Sequence, residues 1–384
     1  MTQNKYKIGI VYFDTIHIVP HFVGPVKAFF NDPDFEPEII TYQGQHEFLF
    51  ELLSQHNIPA GLVKQLPTYW HRRIIEKIKN RKIPSPLYLF KKHKNKLLKN
   101  YDALIFNDIN HEYLYQHRQK SHPKFVLLMH GAGDGEYLIG KQYRDSVSKF
   151  DLITTSGQKI TDFFKQMELP NTEIAMCGYQ KFDLINTEKT KQFFNNNKPV
   201  ILYNPHFKRE LSSWYQHGEN ILEFFYLNKN FNLIFAPHIN LFYKRGFLKP
   251  EVIPQKYYNT ENILIDLGSK HSVNMDYTLS ADVYLGDVSS QIYEFLYRLR
   301  PAIFINTHKE NWQNDPHYIH WQTGKVINDL SNMESLLTTA YQWHKNYINK
   351  QKELMQYTFK TTKKGEASQN IKSAVKKLLT NKNN

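Results

Sequence analysis

Short apolar runs alternate with helix-like segments along the whole chain of 384 residues. Most runs are almost continuously hydrophobic, which is typical of strands that are covered on both faces of a sheet. In the first half, the predicted strands are Lys7–Phe13, Glu38–Tyr42, Ala103–Phe106, Phe125–His130, Leu152–Thr155 and Glu173–Cys177. In the second half, they are Val200–Tyr203, Leu233–Ala236, Ile263–Ile265, Val283–Leu285 and Ala302–Ile305.

The segments between these runs have the spacing of amphipathic helices. The clearest predicted helices are Gly157–Met167, Glu219–Leu227, Ser289–Arg298 and Glu334–Tyr347. Strands that alternate with helices in this way predict parallel sheets with helices on both faces. We therefore expect an α/β protein with two doubly wound, Rossmann-like domains that face each other across a cleft.

The length of the chain also favours two domains, because so many residues rarely share a single hydrophobic core. The best linker candidate is the polar segment Asn195-Asn-Asn-Lys-Pro199, with a similar number of predicted strands on each side. The expected organisation is a first domain over 1–194 and a second domain over 199–348. Residues 349–384 form a Lys-rich helical tail.

Composition is that of a globular protein, with 41% hydrophobic residues and 15% aromatic residues. The formal net charge of +13 favours polyanionic partners, which include nucleic acid, anionic lipid and phosphorylated substrates. Cys177 is the only cysteine, so neither an internal disulfide nor a thiolate zinc cluster can form.

The N-terminal residues predict a cytoplasmic protein. The chain passes from Met1 almost directly into the first predicted strand, and no signal-peptide apolar region precedes that strand. No run approaches the ~18 apolar residues that a membrane-spanning helix requires.

One segment, Trp70 to Lys99, interrupts the alternation of strands and helices. It contains eleven Lys and Arg residues and one acid, Glu76, with Trp70, Tyr88 and Phe90 among them. Such a segment can bind an anionic membrane surface as an interfacial helix. A nucleic-acid-binding groove and a solvated charged excursion remain as alternatives.

The segment Asp287-Val-Ser-Ser290 follows a predicted strand and opens a predicted helix. The first backbone N–H groups of a helix bind anions, and the hydroxyls of Ser289 and Ser290 add two donors. Because ligands collect at the carboxyl ends of strands in such sheets, the segment predicts a phosphate or diphosphate site. The alternative is that one serine only caps the helix.

His130 ends a predicted strand and is followed by a loop with three glycines, Asp134 and Glu136. Glycine lets backbone approach a ligand closely, so this position suits a general base. A histidine in such a position can also be structural.

Two further predicted strands are each followed by a histidine at the carboxyl end. His238 follows the strand at Leu233–Ala236, and His206 follows the strand at Val200–Tyr203 together with Lys208 and Arg209. We expect one strand-end histidine to deprotonate an attacking hydroxyl while another donates to a phosphate oxygen. The cations would neutralise charge on a phosphoryl group during transfer.

Several familiar motifs do not occur in the sequence. They include the Gly-x-x-x-x-Gly-Lys-Ser/Thr phosphate loop, Gly-x-Gly-x-x-Gly after the first strand, His-Glu-x-x-His and Gly-x-Ser-x-Gly. Asp108, Asp134 and Asp287 are too dispersed to define a metal site. No cofactor or metal is therefore predicted.

Taken in order, five segments resemble the CDP-glycerol glycerophosphotransferases of teichoic acid and capsule synthesis. His130-Gly131 is similar to the family's His-Gly motif, and Pro237-His238 lies where the family has its second histidine. Asp287-Val-Ser-Ser290 is similar to the family's Asp-Tyr-Ser-Ser motif, which binds the donor diphosphate. The other two segments are Gly178-Tyr-Gln-Lys-Phe-Asp183 and Leu202-Tyr-Asn-Pro-His-Phe-Lys-Arg209.

The resemblance implies a GT-B fold with an N-terminal acceptor domain and a C-terminal domain for the nucleotide-linked donor. An acceptor hydroxyl, on a lipid-linked or polymeric molecule, would attack the glycerol-side phosphorus of CDP-glycerol and release CMP. His130 would be the base, and His238 with Lys208 or Arg209 would stabilise the transferred group. The enzyme would be peripheral at the inner face of the cell membrane.

The sequence departs from the family where Ala132-Gly-Asp-Gly-Glu136 replaces the usual Thr-Pro and lysine after His-Gly. Acidic residues beside a phosphorylated substrate suggest a different acceptor or a different donor. The alternatives are a GT-B glycosyltransferase or a sugar-nucleotide epimerase with another nucleotide-linked donor. A nucleic-acid-binding role is disfavoured, because the cations concentrate away from the strand-end motifs.

Overall fold

The computed structural model describes residues 5–78, 83–120, 122–132, 141–185, 191–244, 247–248 and 253–381. The chain divides into two compact units. The first unit is Met1–Ile185 with Tyr357–Asn384, and the second unit is Asn186–Gln356. The second unit therefore begins before the predicted linker at 195–199, and the end of the chain belongs to the first unit.

The first unit is built on a seven-stranded sheet in which every neighbouring pair is parallel. Its strands are β1 (Tyr6–Tyr12), β2 (Phe35–Tyr42), β3 (Val63–Leu66), β4 (Ala103–Phe106), β5 (Lys124–Leu128), β6 (Leu152–Thr155) and β7 (Glu173–Met176). Their order is β3-β2-β1-β4-β5-β6-β7. The order reverses direction between β1 and β4, which is the switch point of a doubly wound sheet.

Helices of the first unit connect successive strands, because parallel strands need a crossover connection. They are α1 (Val19–Phe30), α2 (Glu47–Gln55), α3 (Trp70–Ile78), α4 (Pro86–Lys99), α5 (Glu112–Tyr115), α6 (Lys141–Val147) and α7 (Gln158–Gln166). The buried side chains of β4, β5 and α4 share one apolar core, which includes Phe90, Phe106 and Phe125.

The second unit has a six-stranded parallel sheet. Its strands are β8 (Val200–Asn204), β9 (Asn232–Phe235), β12 (Ile263–Ile265), β13 (Val283–Gly286), β14 (Ala302–Ile305) and β15 (Lys325–Ile327). Their order is β12-β9-β8-β13-β14-β15. The short strands β10 (Tyr243–Lys244) and β11 (Phe247–Leu248) form a separate antiparallel pair. The switch point lies between β8 and β13.

Helices of the second unit are α8 (Trp214–Leu227), α9 (Lys270–Val273), α10 (Asp276–Ser280), α11 (Gln291–Phe295), α12 (Met333–Thr338) and α13 (Ala340–His344), and α14 (Ile348–Thr358) begins in this unit and ends in the first. The core between the sheet and α8 contains Tyr203, Phe225, Phe235 and Tyr257, each 0% exposed.

The C-terminal helix α15 (Glu366–Thr380) packs on the first unit. Its buried face carries Ala367, Ile371 and Val375, all 0% exposed. On its outer side, Lys372 pairs with Asp32 at 2.7 Å, and Lys377 pairs with Glu173 at 2.8 Å. The segment 349–384, which the sequence predicts as a helical tail, thus contains most of α14 and all of α15 and does not form one separate element.

Every predicted strand is present in the structure, with ends that shift by at most three residues. The sequence pattern missed β3, β15 and the β10–β11 pair. Only Leu66 of β3 is buried, and all three residues of β15 are half-buried, so neither strand has a continuous apolar run. The predicted helix Glu334–Tyr347 is interrupted at Thr339, and Ser289–Arg298 is reduced to α11.

Within the described residues, none of the helices combines the length and the apolar character that are needed to cross a bilayer.

Candidate active site

Asp287 follows β13 at the switch point of the second unit, and both oxygens of its carboxylate accept hydrogen bonds from other groups of the protein. Oδ1 accepts hydrogen bonds from the backbone N–H groups of His206 (2.8 Å) and Val288 (2.7 Å). Oδ2 accepts from the backbone N–H (2.7 Å) and the hydroxyl (2.8 Å) of Ser213. Burial raises the pKa of Asp287 to about 6, although these donors favour the ionised form.

The sequence assigned Asp287 to the donor diphosphate site, and the structure places its side chain inside the fold. The residue is 1% exposed, and its four donors leave little capacity for a ligand. A carboxylate would also repel a diphosphate. The hydrogen bonds of Asp287 tie the loop after β8 and the start of α8 to the end of β13.

His206 and His238 form a pair at the neighbouring strand ends. Their ring centroids are 5.8 Å apart at an interplanar angle of 61°. Phe207 packs against both rings, at 4.5 Å from His206 and 4.6 Å from His238. The structure thus brings together two histidines that the sequence placed on separate strands.

Backbone amides fix the orientation of both rings. The N–H of Lys208 donates to Nδ1 of His206 (3.2 Å), and the N–H of Asn240 donates to Nδ1 of His238 (3.1 Å). A neutral imidazole whose Nδ1 accepts a hydrogen bond carries its proton on Nε2. Burial, together with the charge of Lys208, lowers the pKa of His206 to about 4. In its neutral form each ring therefore carries an N–H donor at Nε2, which suits a phosphate oxygen.

The two serines differ in their surroundings. Ser289 is buried, and its hydroxyl accepts from the backbone N–H of Gln291 at 3.4 Å. Ser290 is exposed and precedes α11, which has only five residues. The predicted helix opening at Ser289 thus begins at Gln291, and the helix dipole is correspondingly weak. Ser290 is the serine that a ligand can reach.

The two predicted cations also differ. Lys208 is half-buried beside His206, whereas Arg209 is exposed and its guanidinium lies 4.9 Å from the ring centroid of Tyr215. The structure therefore groups Lys208 with the histidine pair and directs Arg209 toward α8.

The sequence did not identify two side chains that support this edge. The backbone oxygen of Asp287 accepts from Nε1 of Trp321 at 3.0 Å and contacts Nε2 of His320 at 3.3 Å. Both residues are buried, in a segment that follows neither a strand nor a glycine-rich turn. No sequence pattern signalled them.

The corresponding edge of the first unit holds a different histidine cluster. His130 lies two residues beyond β5, with its ring centroid 6.2 Å from that of His17 and 5.7 Å from that of His21. Gln180 donates to the backbone oxygen of Met129 at 2.9 Å and so fixes the segment that carries His130. Gly131 has φ of +88°, which favours glycine at the turn that follows.

Burial controls the protonation of this cluster. The pKa of His17 is lowered to about 3 and that of His21 well below its usual value, because both are buried beside His130 and Lys181. Burial also raises the pKa of Asp14, which follows β1. His130 therefore has two neutral imidazoles as neighbours. The sequence did not identify His17 and His21, although both lie soon after the first strand.

The segment Gly178–Asp183 anchors the C-terminal part of the chain. Oδ1 and Oδ2 of Asp183 accept from the backbone N–H groups of Gly365 (2.8 Å) and Ser368 (2.7 Å), at the start of α15. The ring of Tyr179 stacks on Phe359 with centroids 4.7 Å apart. These contacts give the segment a structural role.

Among the residues that the structure describes, no group of three His, Cys, Asp or Glu side chains could hold a metal ion. Asp134 and Glu136, which the sequence placed beside His130, lie outside the described residues.

Comparison with known families identifies the chain. The CDP-glycerol:poly(glycerophosphate) glycerophosphotransferase family matches residues 77–377. The chain belongs to this family. The resemblance seen in the sequence is confirmed, and the protein is a transferase of the glycerophosphotransferase class.

Solved structures show that this glycerophosphotransferase shares its fold with two kinds of enzyme. The wall teichoic acid polymerase TagF matches with a TM-score of 0.66 and 13% identity over 97% of this chain and 88% of that chain. A UDP-GlcNAc 2-epimerase from Neisseria meningitidis matches with a TM-score of 0.61 and 14% identity over 97% of this chain and 100% of that chain. The S. aureus protein MnaA, solved with UDP, matches with a TM-score of 0.64 and 14% identity over 97% of both chains. No curated protein has a significantly matching sequence.

Both sets of neighbours agree with the predicted α/β, GT-B-like fold of doubly wound sheets. At such low identities, the matches establish the fold alone. The choice between a glycerophosphotransferase and an epimerase rests on the family match.

Proposed function

We propose that this glycerophosphotransferase moves glycerol phosphate, or a related polyol phosphate, from a CDP-linked donor to a hydroxyl of a cell-surface polymer. The main support is the membership of the family, together with the histidine pair His206–His238 at the switch point of the second unit. One structure of TagF was obtained after a soak with CDPG. That observation concerns TagF and supports a CDP-linked donor here.

In this proposal, the second unit binds the donor diphosphate. His206 and His238 donate from Nε2 to phosphate oxygens, and Ser290 with the backbone at the start of α11 adds further donors. Lys208 offsets the negative charge, with Arg209 as a second cation. Ser289 and Asp287 hold the loop in place from inside the fold.

His130 of the first unit is the proposed base. As the acceptor oxygen forms a bond to the glycerol-side phosphorus, its proton passes to His130, and the bond between that phosphorus and the CMP oxygen breaks. CMP leaves with the electron pair of that bond, so one phosphodiester forms for each phosphoanhydride cleaved. Neutral donors such as the Nε2–H of His238 stabilise the charge that develops on the phosphoryl oxygens.

The acceptor completes the proposal. We expect a lipid-linked or polymeric molecule with a terminal hydroxyl, and a cytoplasmic enzyme that works at the inner face of the membrane. The net charge of +13 favours such an anionic surface and an anionic polymer.

A donor panel tests the proposal. The purified chain is mixed with CDP-glycerol, another CDP-linked polyol, UDP-GlcNAc or GDP-mannose, and its thermal unfolding is recorded, since a ligand of the folded state raises Tm. CMP release is then measured with a polymeric glycerophosphate acceptor. We expect stabilisation and CMP release only with a CDP-linked donor. Epimerisation of UDP-GlcNAc without CMP release from any CDP-linked donor would overturn the proposal.

A further inference from the structure

A cleft of about 360 Å³ lies on the first unit, between α1, the end of α2 and the start of α15. Its lining comes from the second half of α1 and from His56, the residue after α2. Helices that connect parallel strands run back toward the amino edge of the sheet. The cluster around His130 instead involves His17 and His21, near the start of α1. The cleft is therefore distinct from that cluster.

Two lysines converge on this cleft. Lys27 belongs to α1, Lys364 lies just before α15, and both contribute to the lining. Burial lowers the pKa of His56, and the charges of Lys27 and Lys364 lower it further. Both ammonium groups thus act on the same imidazole, although they come from residues that are far apart in the sequence.

These two lysines differ from a neighbouring lysine in the same helical layer. Nζ of Lys372, on α15, pairs with the carboxylate of Asp32 at 2.7 Å. Among the residues that the structure describes, neither Lys27 nor Lys364 has such an ion pair. Like charges that share a partly buried site repel each other, and a bound anion would relieve this repulsion.

The carboxylate in the lining, that of Asp183, is bonded to the start of α15. Its oxygens accept from the backbone N–H groups of Gly365 (2.8 Å) and Ser368 (2.7 Å) and from the hydroxyl of Ser368 (2.6 Å). These donors offset the negative charge of Asp183. They are also N–H groups of the first turn of α15, so a ligand in the cleft would depend on the lysine side chains and not on the helix terminus.

We propose that the cleft binds a small phosphate monoester, with Nζ of Lys27 and Nζ of Lys364 as the ligands of its phosphate. Two ammonium groups match the charge of a dianion, and lysine commonly binds phosphate as a point charge. The exposed amides of Asn31 and Gln369 also line the cleft and can bond to hydroxyls of the organic part. The volume is at the lower end of the range for ligand sites, which suits a molecule no larger than a mononucleotide. The inference goes beyond the proposed reaction, because the cleft contains none of the residues assigned to it.

Calorimetric titration of the full chain tests the site. The ligands are inorganic phosphate, glycerol 3-phosphate and CMP at constant ionic strength, with sodium chloride as the reference. We expect saturable binding that K27Q/K364Q weakens at least about tenfold, because the variant loses two charge-assisted contacts. The matched control K165Q/K352Q removes two exposed lysines outside the cleft and should bind like the parent.

Two comparisons refine the titration. CMP can also occupy the donor site, so the component that His238→Ala leaves unchanged is the one assigned to the cleft. The relative affinities of glycerol 3-phosphate and CMP then distinguish a polyol phosphate from a nucleotide as the preferred occupant. An effect that sodium chloride reproduces, or equal binding by K27Q/K364Q and the parent, would overturn the proposal.

NMR of His56 locates the bound phosphate in the parent chain, so this result does not depend on the folding of a variant. The ring signals are assigned with His56→Gln and followed against pH with and without inorganic phosphate. We expect the pKa of His56 to rise when phosphate binds, because the anion offsets the charges of Lys27 and Lys364. Signals of His56 that do not respond to saturating phosphate would overturn the proposal.

The outcome is separable from that of the proposed reaction. Without added phosphate, K27Q/K364Q should release CMP from the donor at the parental rate. A chain that binds phosphate in the cleft but releases no CMP from any CDP-linked donor would contradict the reaction alone. Full CMP release by a chain that binds no phosphate in the cleft would contradict this site alone.

Discussion

The two units place histidines at the same edge of similar sheets but control them in different ways. In the second unit, backbone amides of Lys208 and Asn240 donate to Nδ1 of His206 and His238, which leaves Nε2 to carry the proton of each neutral ring. In the first unit, His17 and His21 surround His130 mainly by ring packing and burial. The difference fits the two functions that we propose: fixed donors in the second unit that bind a phosphate, and an imidazole in the first unit that acts as the base.

The largest expected effect concerns His130. Replacing His130 by Ala removes the proposed base and should lower kcat by about 10³-fold, within the range for general bases. Donor affinity should change by less than about threefold, because the donor site is assigned to the second unit. The control is His117→Ala, an exposed histidine of the first unit. CMP release and calorimetric titration of the donor measure the two quantities, and full turnover by His130→Ala would refute the assignment.

Asp287 offers the next largest effect. In Asp287→Asn, an amide nitrogen replaces an oxygen that accepts from Ser213, so buried donors lose their partner. We expect the free energy of unfolding to fall by about 3 kcal/mol. Urea denaturation measures the change, and hydrogen exchange shows which unit opens.

Asp183→Asn is the matched change in the first unit, where the carboxylate holds the start of α15. Exchange should increase in α15 and leave the second unit protected. If Asp287→Asn and Asp183→Asn both increased hydrogen exchange in the same unit, each carboxylate would not stabilise only its own unit.

The fixed donors can be tested by substitutions that keep or remove the donor. His238→Ala should weaken donor binding by about 10- to 100-fold, the usual worth of a hydrogen bond to a charged group. His238→Gln can place an amide N–H near the Nε2 position and should recover affinity to within about threefold. The same pair of changes at His206 should behave alike. Equal losses for Ala and Gln would indicate that the imidazole acts in another way.

The smallest effect is on the pH dependence of stability. Burial lowers the pKa values of His17, His21 and His206, so the unfolded chain takes up protons first as the pH falls below about 6.5. The free energy of unfolding should therefore decrease on acidification, by roughly 2 kcal/mol between pH 7 and 6. Asp287, with its pKa raised to about 6, takes up its proton in the folded state as the pH falls through 6 and so partly opposes this trend.

The first unit also contains His111, whose pKa burial lowers to about 3, so it should lose more stability than the second unit. Hydrogen exchange of each unit at pH 7 and pH 6, corrected for intrinsic rates, checks the difference. An increase in stability on acidification would contradict the buried, neutral state of these rings.

Much of the fold could be predicted from the sequence, because strands such as Ala103–Phe106 and Ile263–Ile265 are apolar runs with sharp ends. His206 and His238 were predicted because each follows such a strand. Their pairing, and the four hydrogen bonds of Asp287, depend on loops that approach only in the folded sheet. His17 and His21 were missed because a histidine near a helix start has no distinctive pattern.

The most direct test of the donor site is the protonation pattern of the two histidine rings in the second unit. Nitrogen-15 NMR of histidine-labelled protein, assigned with His206→Gln and His238→Gln, distinguishes protonated from unprotonated ring nitrogens. We expect both rings to carry the proton on Nε2 at pH 7, and both Nε2 signals to shift when CDP-glycerol is added. Protons on Nδ1, or signals that do not change with saturating CDP-glycerol, would contradict this site.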